Sequence, residues 1–242
     1  KRQVIKAATF TPQTCMRIAD IYKEAGLPDG VINIVTCSRN EAEIFLSHPD
    51  IKGITFVGST SVGKHIYSQA AASGKRVQAL CEAKNHALVL EDAPIERTAA
   101  GIINASFGCA GERCMALPVV VVQESIADEL VAAIVKKAKE LKVGPAYDKT
   151  TGLGPVVNAK HRESVVKWIE KGIEEGAEIV LDGRNVTVEG FENGFYLGPT
   201  ILDHVKPGMT VGDREIFGPV LCIKRVKNFE EGLALMLSLI HI

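Results

Sequence analysis

The chain has 242 residues, 46% of them hydrophobic, a composition that supports one large or two modest globular domains. Its 28 basic and 29 acidic residues nearly cancel, so no net field would attract nucleic acid or an anionic membrane surface. Apolar runs such as residues 118–122 are too short to cross a bilayer, and no apolar segment behind a basic start marks secretion. The expected partner is a small molecule, with neither nucleic acid nor a membrane involved.

Up to residue 84, predicted helices and strands alternate. A strand-like run at 4–7 precedes a helix at 12–25, whose apolar residues recur at helical spacing, and glycines then lead into a strand at 31–35. The same alternation predicts helices at 41–47 and 61–73 and strands at 53–57 and 77–81. Alternating strands and helices predict a Rossmann-like parallel sheet with helices on both faces.

The pattern restarts after residue 84, where we expect a boundary between a domain at 1–84 and a second α/β domain at 85–242. The second domain is predicted to contain strands at 87–90, 119–123 and 178–181, helices at 95–107, 126–143 and 159–175, and extended segments near 196–202 and 219–226. The strand-like start has no cap before it, and residues 237–242 close no element. Both domains are therefore expected to be incomplete.

A glycine-rich turn at 58–63, Gly-Ser-Thr-Ser-Val-Gly, joins a predicted strand to the helix after it. The N–H groups at the start of such a helix favour a phosphate. One interpretation is the phosphate loop of a nucleoside triphosphatase, which Lys64 fits, but His65 replaces the hydroxyl residue that holds magnesium. Another is a dinucleotide site in which the Ser59 hydroxyl donates to a pyrophosphate. An ordinary glycine-rich connection is the third.

The six cysteines show no Cys-x-x-Cys spacing, so neither a disulfide framework nor a zinc site is indicated. A reducing compartment is expected, the cytoplasm or the mitochondrial matrix, and no metal is expected. Free cysteines are usually small buried hydrophobes. That interpretation is favoured for five of the six: Cys15, Cys37, Cys81, Cys109 and Cys222.

The sixth cysteine, Cys114, is the candidate nucleophile. It lies in the loop Gly-Glu-Arg-Cys-Met-Ala at 111–116, polar and glycine-flanked, between a predicted helix and a predicted strand. A catalytic thiol needs a nearby cation or helix-terminal amides, and Arg113 is adjacent, although the spacing leaves open whether it faces the sulfur or a substrate anion. The backbone N–H of Cys114 is a candidate oxyanion donor. No histidine is adjacent, so a Cys–His hydrolase is the second enzyme class considered.

Five motifs in a fixed order resemble NAD(P)-dependent aldehyde dehydrogenases. They are Lys6 with Thr-Pro at 11–12, Gly-Leu-Pro-Asp-Gly at 26–30, Phe-Val-Gly-Ser at 56–59, Gly-Glu-Arg-Cys at 111–114 and Glu-Ile-Phe-Gly-Pro at 215–219. Stretches at 75–79, 83–86 and 113–117 are most similar to the CoA-acylating branch, the methylmalonate-semialdehyde dehydrogenases. The resemblance extends to about residue 236, and the tail at 237–242 departs from the family pattern.

The resemblance implies that Cys114 attacks an aldehyde, that a hydride passes to NAD, and that the thioester left on Cys114 is released to coenzyme A. The implied substrate is malonate or methylmalonate semialdehyde, and the full-length protein would be a homo-oligomer, a homotetramer. The implied cofactor contacts are Lys6, Thr9 and Phe10 at the adenosine ribose, Ser59 at the pyrophosphate, the Cys81 carbonyl at the nicotinamide amide, Glu215 at the nicotinamide ribose and Phe217 against the nicotinamide.

Three positions depart from the family pattern. Leu80 replaces the glutamate that activates water in hydrolytic members, and because leucine takes no proton, release by a thiol such as coenzyme A is favoured. Glu82 replaces a glycine and is considered as a substitute base, but simple tolerance is favoured because residues i and i+2 on a strand share a face and not a position. Thr9 replaces a glutamate that accepts from the ribose, so NADP is expected to be accepted as well as NAD.

Arg113 is the candidate substrate-binding residue, because an arginine can bind the carboxylate of a semialdehyde acid in bidentate fashion. In the family, the asparagine that donates to the oxyanion lies upstream of Lys1, and the oligomerisation strand lies beyond Ile242. Two alternatives therefore stay open: a hydrolytic aldehyde dehydrogenase, and an inactive segment that only binds nucleotide.

Overall fold

The computed structural model describes residues 2–237 of the chain. Its internal contacts divide the chain between Glu82 and Ala83 into two units, called here the first and the second unit. The boundary expected at residue 84 lies two residues from this division. Among the described residues no helix is long and apolar enough to span a membrane.

The first unit pairs its described strands in two separate parallel sheets. The strands are β1 (Gln3–Lys6), β2 (Ile32–Val35), β3 (Gly53–Val57) and β4 (Arg76–Leu80), and the helices are α1 (Pro12–Glu24), α2 (Arg39–Ala42), α3 (Ile44–Ser47) and α4 (Thr60–Ala72). β1 pairs with β2 and β3 pairs with β4. The parallel direction agrees with the prediction. The helix expected at 41–47 is instead two short helices, of which α2 begins earlier, at a capping box formed by Ser38 and Glu41.

The second unit contains one five-stranded sheet in the order β5-β6-β9-β8-β7. Its strands are β5 (His86–Val89), β6 (Val119–Gln123), β7 (Glu178–Leu181), β8 (Thr200–Asp203) and β9 (Val220–Val226), and its helices are α5 (Ile95–Phe107), α6 (Glu124–Lys139), α7 (Ala159–Glu174), α8 (Thr210–Asp213) and α9 (Phe229–Leu237). The pairs are parallel except that the edge strand β7 is antiparallel to β8. The sequence did not predict that direction, nor α8 and α9. Residues 238–242 of the atypical tail lie outside the described residues.

The core of the second unit is centred on β6. Every residue of this strand is buried, and residues 119–122 are 0% exposed. Because successive side chains of a strand point to opposite faces, both faces of the sheet must be covered here, as is usual for parallel sheets. Leu130 and Ile134 of α6 are also 0% exposed. The predicted α/β class is confirmed.

Candidate active site

A cleft opens in the second unit around the loop that carries Cys114. The side chain of Cys114 is exposed. The residues that line the cleft include Ala83, Asn85, Arg113, Cys114, Glu215 and Phe217. The fold therefore brings the motif at 111–114 together with the motif at 215–219, two stretches that the sequence could connect only through the resemblance.

Asn85 fixes the backbone at Cys114 and just after it. Its Nδ2 donates to the carbonyl oxygens of Cys114 and Ala116, at 2.8 Å each. The buried Ser106 hydroxyl donates to the next carbonyl along the chain, that of Leu117, at 2.7 Å. The sequence did not single out Asn85 for this role, although it belongs to the stretch at 83–86 that carried the closer resemblance. The loop is thus held by its main chain while the thiol stays accessible.

The backbone is strained just before this loop. A single turn, Gly108–Gly111, follows α5, and in it Cys109 has φ 52° and Ala110 has φ 54°. The left-handed region costs a residue with a side chain roughly 1–2 kcal/mol, and such strain is typical of functional sites.

The expectation that Cys109 is buried is wrong, because Cys109 lies on this turn and not on an apolar helix face, and it is exposed. All six cysteines lie in the described part of the chain and are free thiols. Of the five expected to be core residues, only Cys222 is buried, and Cys15, Cys37 and Cys81 are partly exposed.

Gly111 brings the loop that carries Cys114 against the segment that carries Phe217. Its φ is +69°, and a Cβ atom at this position would lie 2.2 Å from the carbonyl oxygen of Gly218. Real Cβ atoms do not approach a backbone atom this closely, so a residue with a side chain would push the two segments apart. Glycine at position 111 is therefore required by the packing of the two segments as well as by its backbone conformation.

Arg113 is directed at the end of a helix. Its Nη2 donates at 3.1 Å to the carbonyl of Asn104, in the last turn of α5. This carbonyl also accepts from the backbone N–H of Gly108, and a cation at this end interacts favourably with the helix dipole. Gly108 leaves the space, since a Cβ would lie 2.2 Å from Nη2. One arm of the guanidinium thus ties the loop to α5 while the side chain also lines the cleft. Its role toward a substrate carboxylate stays a prediction.

Of the two basic residues beside Asn85, Lys84 is buried and His86 is partly buried. Lys84 is 6% exposed, and burial lowers the pKa of its amine. Burial also lowers the pKa of His86 to about 4. Nδ1 of His86 lies 2.8 Å from the carbonyl of Lys84, so this nitrogen carries the proton of a neutral ring. His86 is therefore uncharged at neutral pH.

The predicted cofactor residues of the first unit lie at the carboxyl ends of parallel strands. Lys6 is the last residue of β1 and is followed by the exposed Thr9 and Phe10, of which Phe10 is 69% exposed. Ser59 follows β3, and Cys81 follows β4. Open α/β sheets bind ligands outside the carboxyl ends of their strands, so this placement suits a dinucleotide.

The start of α4 already holds a carboxylate. Glu82 Oε1 accepts from the backbone N–H of Thr60 at 3.0 Å. Gly63 lets the helix approach β4 closely, because a Cβ there would lie 2.3 Å from the Sγ atom of Cys81. This end of α4, next to Ser59, therefore accepts an anionic oxygen, as a pyrophosphate site must.

These features describe an α/β protein with an accessible thiol in a cleft of its second unit and a helix end that accepts an anionic oxygen in its first unit. The chain belongs to the aldehyde dehydrogenase family, whose sequence profile matches residues 2–237. The resemblance inferred from the motifs is thereby confirmed.

More particular similarity is to semialdehyde dehydrogenases. Malonate-semialdehyde dehydrogenase 2 of Geobacillus kaustophilus is 49% identical over 231 residues, which are 95% of this chain and 47% of that protein. The crystal structure of methylmalonate-semialdehyde dehydrogenase from Oceanimonas doudoroffii matches with a TM-score of 0.92 at 42% identity, covering 97% of this chain and 48% of that one. A betaine aldehyde dehydrogenase from Staphylococcus aureus, solved in complex with NAD+, matches with a TM-score of 0.91 at 27% identity over 97% of this chain and 47% of its own. The chain spans about half the length of the relatives it matches.

Proposed function

We propose that the protein oxidises malonate or methylmalonate semialdehyde to an acyl-CoA, with Cys114 as the nucleophile and NAD as the hydride acceptor. The observation that carries this proposal is the exposed Cys114 in a cleft that it shares with Glu215 and Phe217. The names of the relatives support the substrate class. The NAD+ complex of the Staphylococcus aureus relative supports the cofactor.

In this reaction the Cys114 thiolate adds to the aldehyde carbon, forming a carbon–sulfur bond and an oxyanion. The backbone N–H of Cys114 donates to that oxyanion, and Asn85 keeps the loop from moving by holding the carbonyls of Cys114 and Ala116. NAD supplies the hydride acceptor when bound. Cys114 then carries the acyl group as a thioester until a second nucleophile releases it.

The first unit would hold the dinucleotide. We assign Lys6, Thr9 and Phe10 to the adenosine ribose, Ser59 to the pyrophosphate and the Cys81 carbonyl to the nicotinamide amide, with Glu215 and Phe217 of the second unit at the nicotinamide end. The pyrophosphate assignment is supported by the Glu82 carboxylate, which accepts from the backbone N–H of Thr60 and so places a negative oxygen at the start of α4. With threonine at position 9, no carboxylate repels a 2′-phosphate, so NADP is expected to bind as well.

Coenzyme A is the proposed acyl acceptor because of Leu80. This side chain, 51% exposed at the end of β4, cannot take a proton from water. The thiolate of coenzyme A needs no such base, since it attacks the thioester directly and releases the Cys114 thiolate. Full-length protein would act as a homo-oligomer, and the reactive thiol would require a reducing compartment.

Alkylation of the 242-residue chain with iodoacetamide, mapped by mass spectrometry, tests the nucleophile. We expect one label on Cys114, added more slowly in the presence of NAD. The C114S variant should lose this label, and C109S, which removes the other exposed thiol of the same region, should keep it. Preferential labelling of Cys109, or a rate that NAD leaves unchanged, would contradict the proposal.

Absorbance of reduced nicotinamide tests turnover in the full-length protein. With malonate semialdehyde and NAD, we expect continued turnover only when coenzyme A is added, and turnover at the same rate without it would show a hydrolytic enzyme. R113A should raise KM for malonate semialdehyde far more than KM for propanal, which has no carboxylate. Equal effects on both substrates would remove Arg113 from substrate binding.

A further inference from the structure

Three segments of the second unit meet at the side chain of His161, in the first turn of α7. Its Nε2 atom lies 2.7 Å from the carbonyl oxygen of Phe217 and 3.3 Å from Oε1 of Glu112. The imidazole is 22% exposed and the carboxylate 15%. Because a carbonyl oxygen only accepts, Nε2 carries a proton and donates it. One N–H group thus serves two oxygens, one from the segment that carries Phe217 and one from the loop that carries Cys114.

Phe217 is held in a conformation that it would not adopt freely. Its φ is +58°, in the left-handed region that is unfavourable for a residue with a side chain. The neighbouring Gly218 is pressed onto α7, where a Cβ would lie 2.6 Å from Cγ2 of Val165. The Phe217 ring meets the imidazole edge to face, with centroids 6.4 Å apart. The hydrogen bond from His161 stabilises the strained residue whose ring lines the cleft.

Glu112 connects the same histidine to the nucleophile loop, two residues before Cys114. Its Oε1 accepts from the backbone N–H of Val157 at 3.3 Å, and burial raises the pKa of the carboxyl. A buried carboxylate is costly unless donors surround it, and His161 is the second donor. Displacing the imidazole would therefore loosen the loop before Cys114 as well as Phe217.

We propose that His161 is a positioning residue that fixes the ring of Phe217 relative to the thiol of Cys114. The inference rests on the proposed function, in which Phe217 lies against the nicotinamide. Without the Nε2 donor, Phe217 would relax out of its left-handed conformation, and its ring would no longer keep one position relative to the thiol. Displacements of about 1 Å in such geometry can cost on the order of 100-fold in rate.

A matched pair of variants tests this inference. In H161Q the amide nitrogen takes the place of Nε2, whereas in H161N it takes the place of Nδ1 and falls short of both oxygens. Both variants are polar and uncharged, and equal urea midpoints in Trp168 fluorescence would show that both fold. The rate of Cys114 alkylation is measured in the 242-residue chain at increasing NAD concentration. This titration gives two separate quantities, the maximal protection and the NAD concentration that gives half of the maximal protection.

We expect wild type and H161Q to show the same maximal protection. For H161N, the NAD concentration that gives half of the maximal protection should stay within about threefold of the wild-type value. At saturating NAD, however, its Cys114 should still be labelled roughly ten times faster than in the wild type. Equal maximal protection in H161N and H161Q overturns the role of His161, as does equal loss in both. If NAD fails to protect the wild type, it is the proposed function that has failed.

Discussion

The two units of this chain bury their side chains to very different extents. In the second unit every residue of β6 is buried, whereas in the first unit α1 has no buried residue and Met16 and Ile18 are about half exposed, at 51% and 49%. The proposed nucleophile lies in the tightly packed second unit, and most of the proposed cofactor residues lie in the more exposed first unit. Since tight packing is what holds catalytic groups to within about 0.5 Å, the second unit is the one equipped to preorganise chemistry.

Alanine substitution of one isoleucine in each unit gives the largest expected difference. Ile223 of β9 is 0% exposed, so I223A should lower the free energy of unfolding by about 4 kcal/mol through lost burial and a cavity. I18A in α1 should change it by less than about 0.5 kcal/mol, because the side chain is half exposed and alanine favours helix. Urea unfolding followed by far-ultraviolet circular dichroism measures both. Similar losses would mean that the first unit is also packed in solution.

A pair of glycines with the same backbone conformation separates strain from packing. Gly111 and Gly74 both have φ +69°, but only at Gly111 would a Cβ meet a neighbouring backbone, whereas Gly74 has open space. G111A should lower the free energy of unfolding by about 3 kcal/mol and G74A by about 1 kcal/mol. G111A should also slow alkylation of Cys114. Equal costs would show that Gly111 and Gly218 are not in close contact.

Acid stability should depend on His86. Its pKa is lowered to about 4 in the folded chain from an ordinary 6.5, so the unfolded chain takes up the proton first. Stability is therefore lost as the pH falls from about 6.5 toward 4. Between pH 7.5 and pH 5 this group should cost about 1–2 kcal/mol, allowing for its partial exposure. H86N keeps a donor near the Lys84 carbonyl without a titrating ring, and urea midpoints at both pH values should show a smaller loss. An unchanged pH dependence would assign the acid sensitivity to other groups.

The smallest expected effect is on NAD binding to the first unit. The Glu82 carboxylate accepts a hydrogen bond from the backbone N–H of Thr60, at the helix end where we propose that the pyrophosphate binds. E82Q should tighten NAD binding by roughly threefold in calorimetric titration, because it removes a competing negative charge at the helix end. E41Q is the matched control, since Glu41 also caps a helix of the first unit, at Ser38. If E82Q weakens binding, or if E41Q tightens it equally, Glu82 does not compete with the cofactor.

Much of the fold was predictable from hydrophobic periodicity, because β6 and α5 satisfy it locally and both lie where the pattern places them. α8 escaped prediction because a single turn is too short to show a period. The antiparallel direction of β7 escaped because pairing partners are set by the sheet and not by the strand's own residues.

The candidate site divides in the same way. Cys114 was predicted to be the nucleophile from the residues of its own loop, since glycines, a cation and a cysteine in one short stretch favour a reactive thiol. Asn85 and His161 were missed because their importance comes from oxygen atoms that belong to residues distant in the chain.

The sequence by itself determined the α/β class and the family, and it predicted the nucleophile, because periodicity and short motifs are properties of neighbouring residues. Only the tertiary structure decided that Gly111 packs against Gly218, that Arg113 binds the end of α5, and that His161 joins Phe217 to Glu112. These contacts join segments far apart in the chain, and their energies exist only once the chain has folded around the buried strands of the second unit.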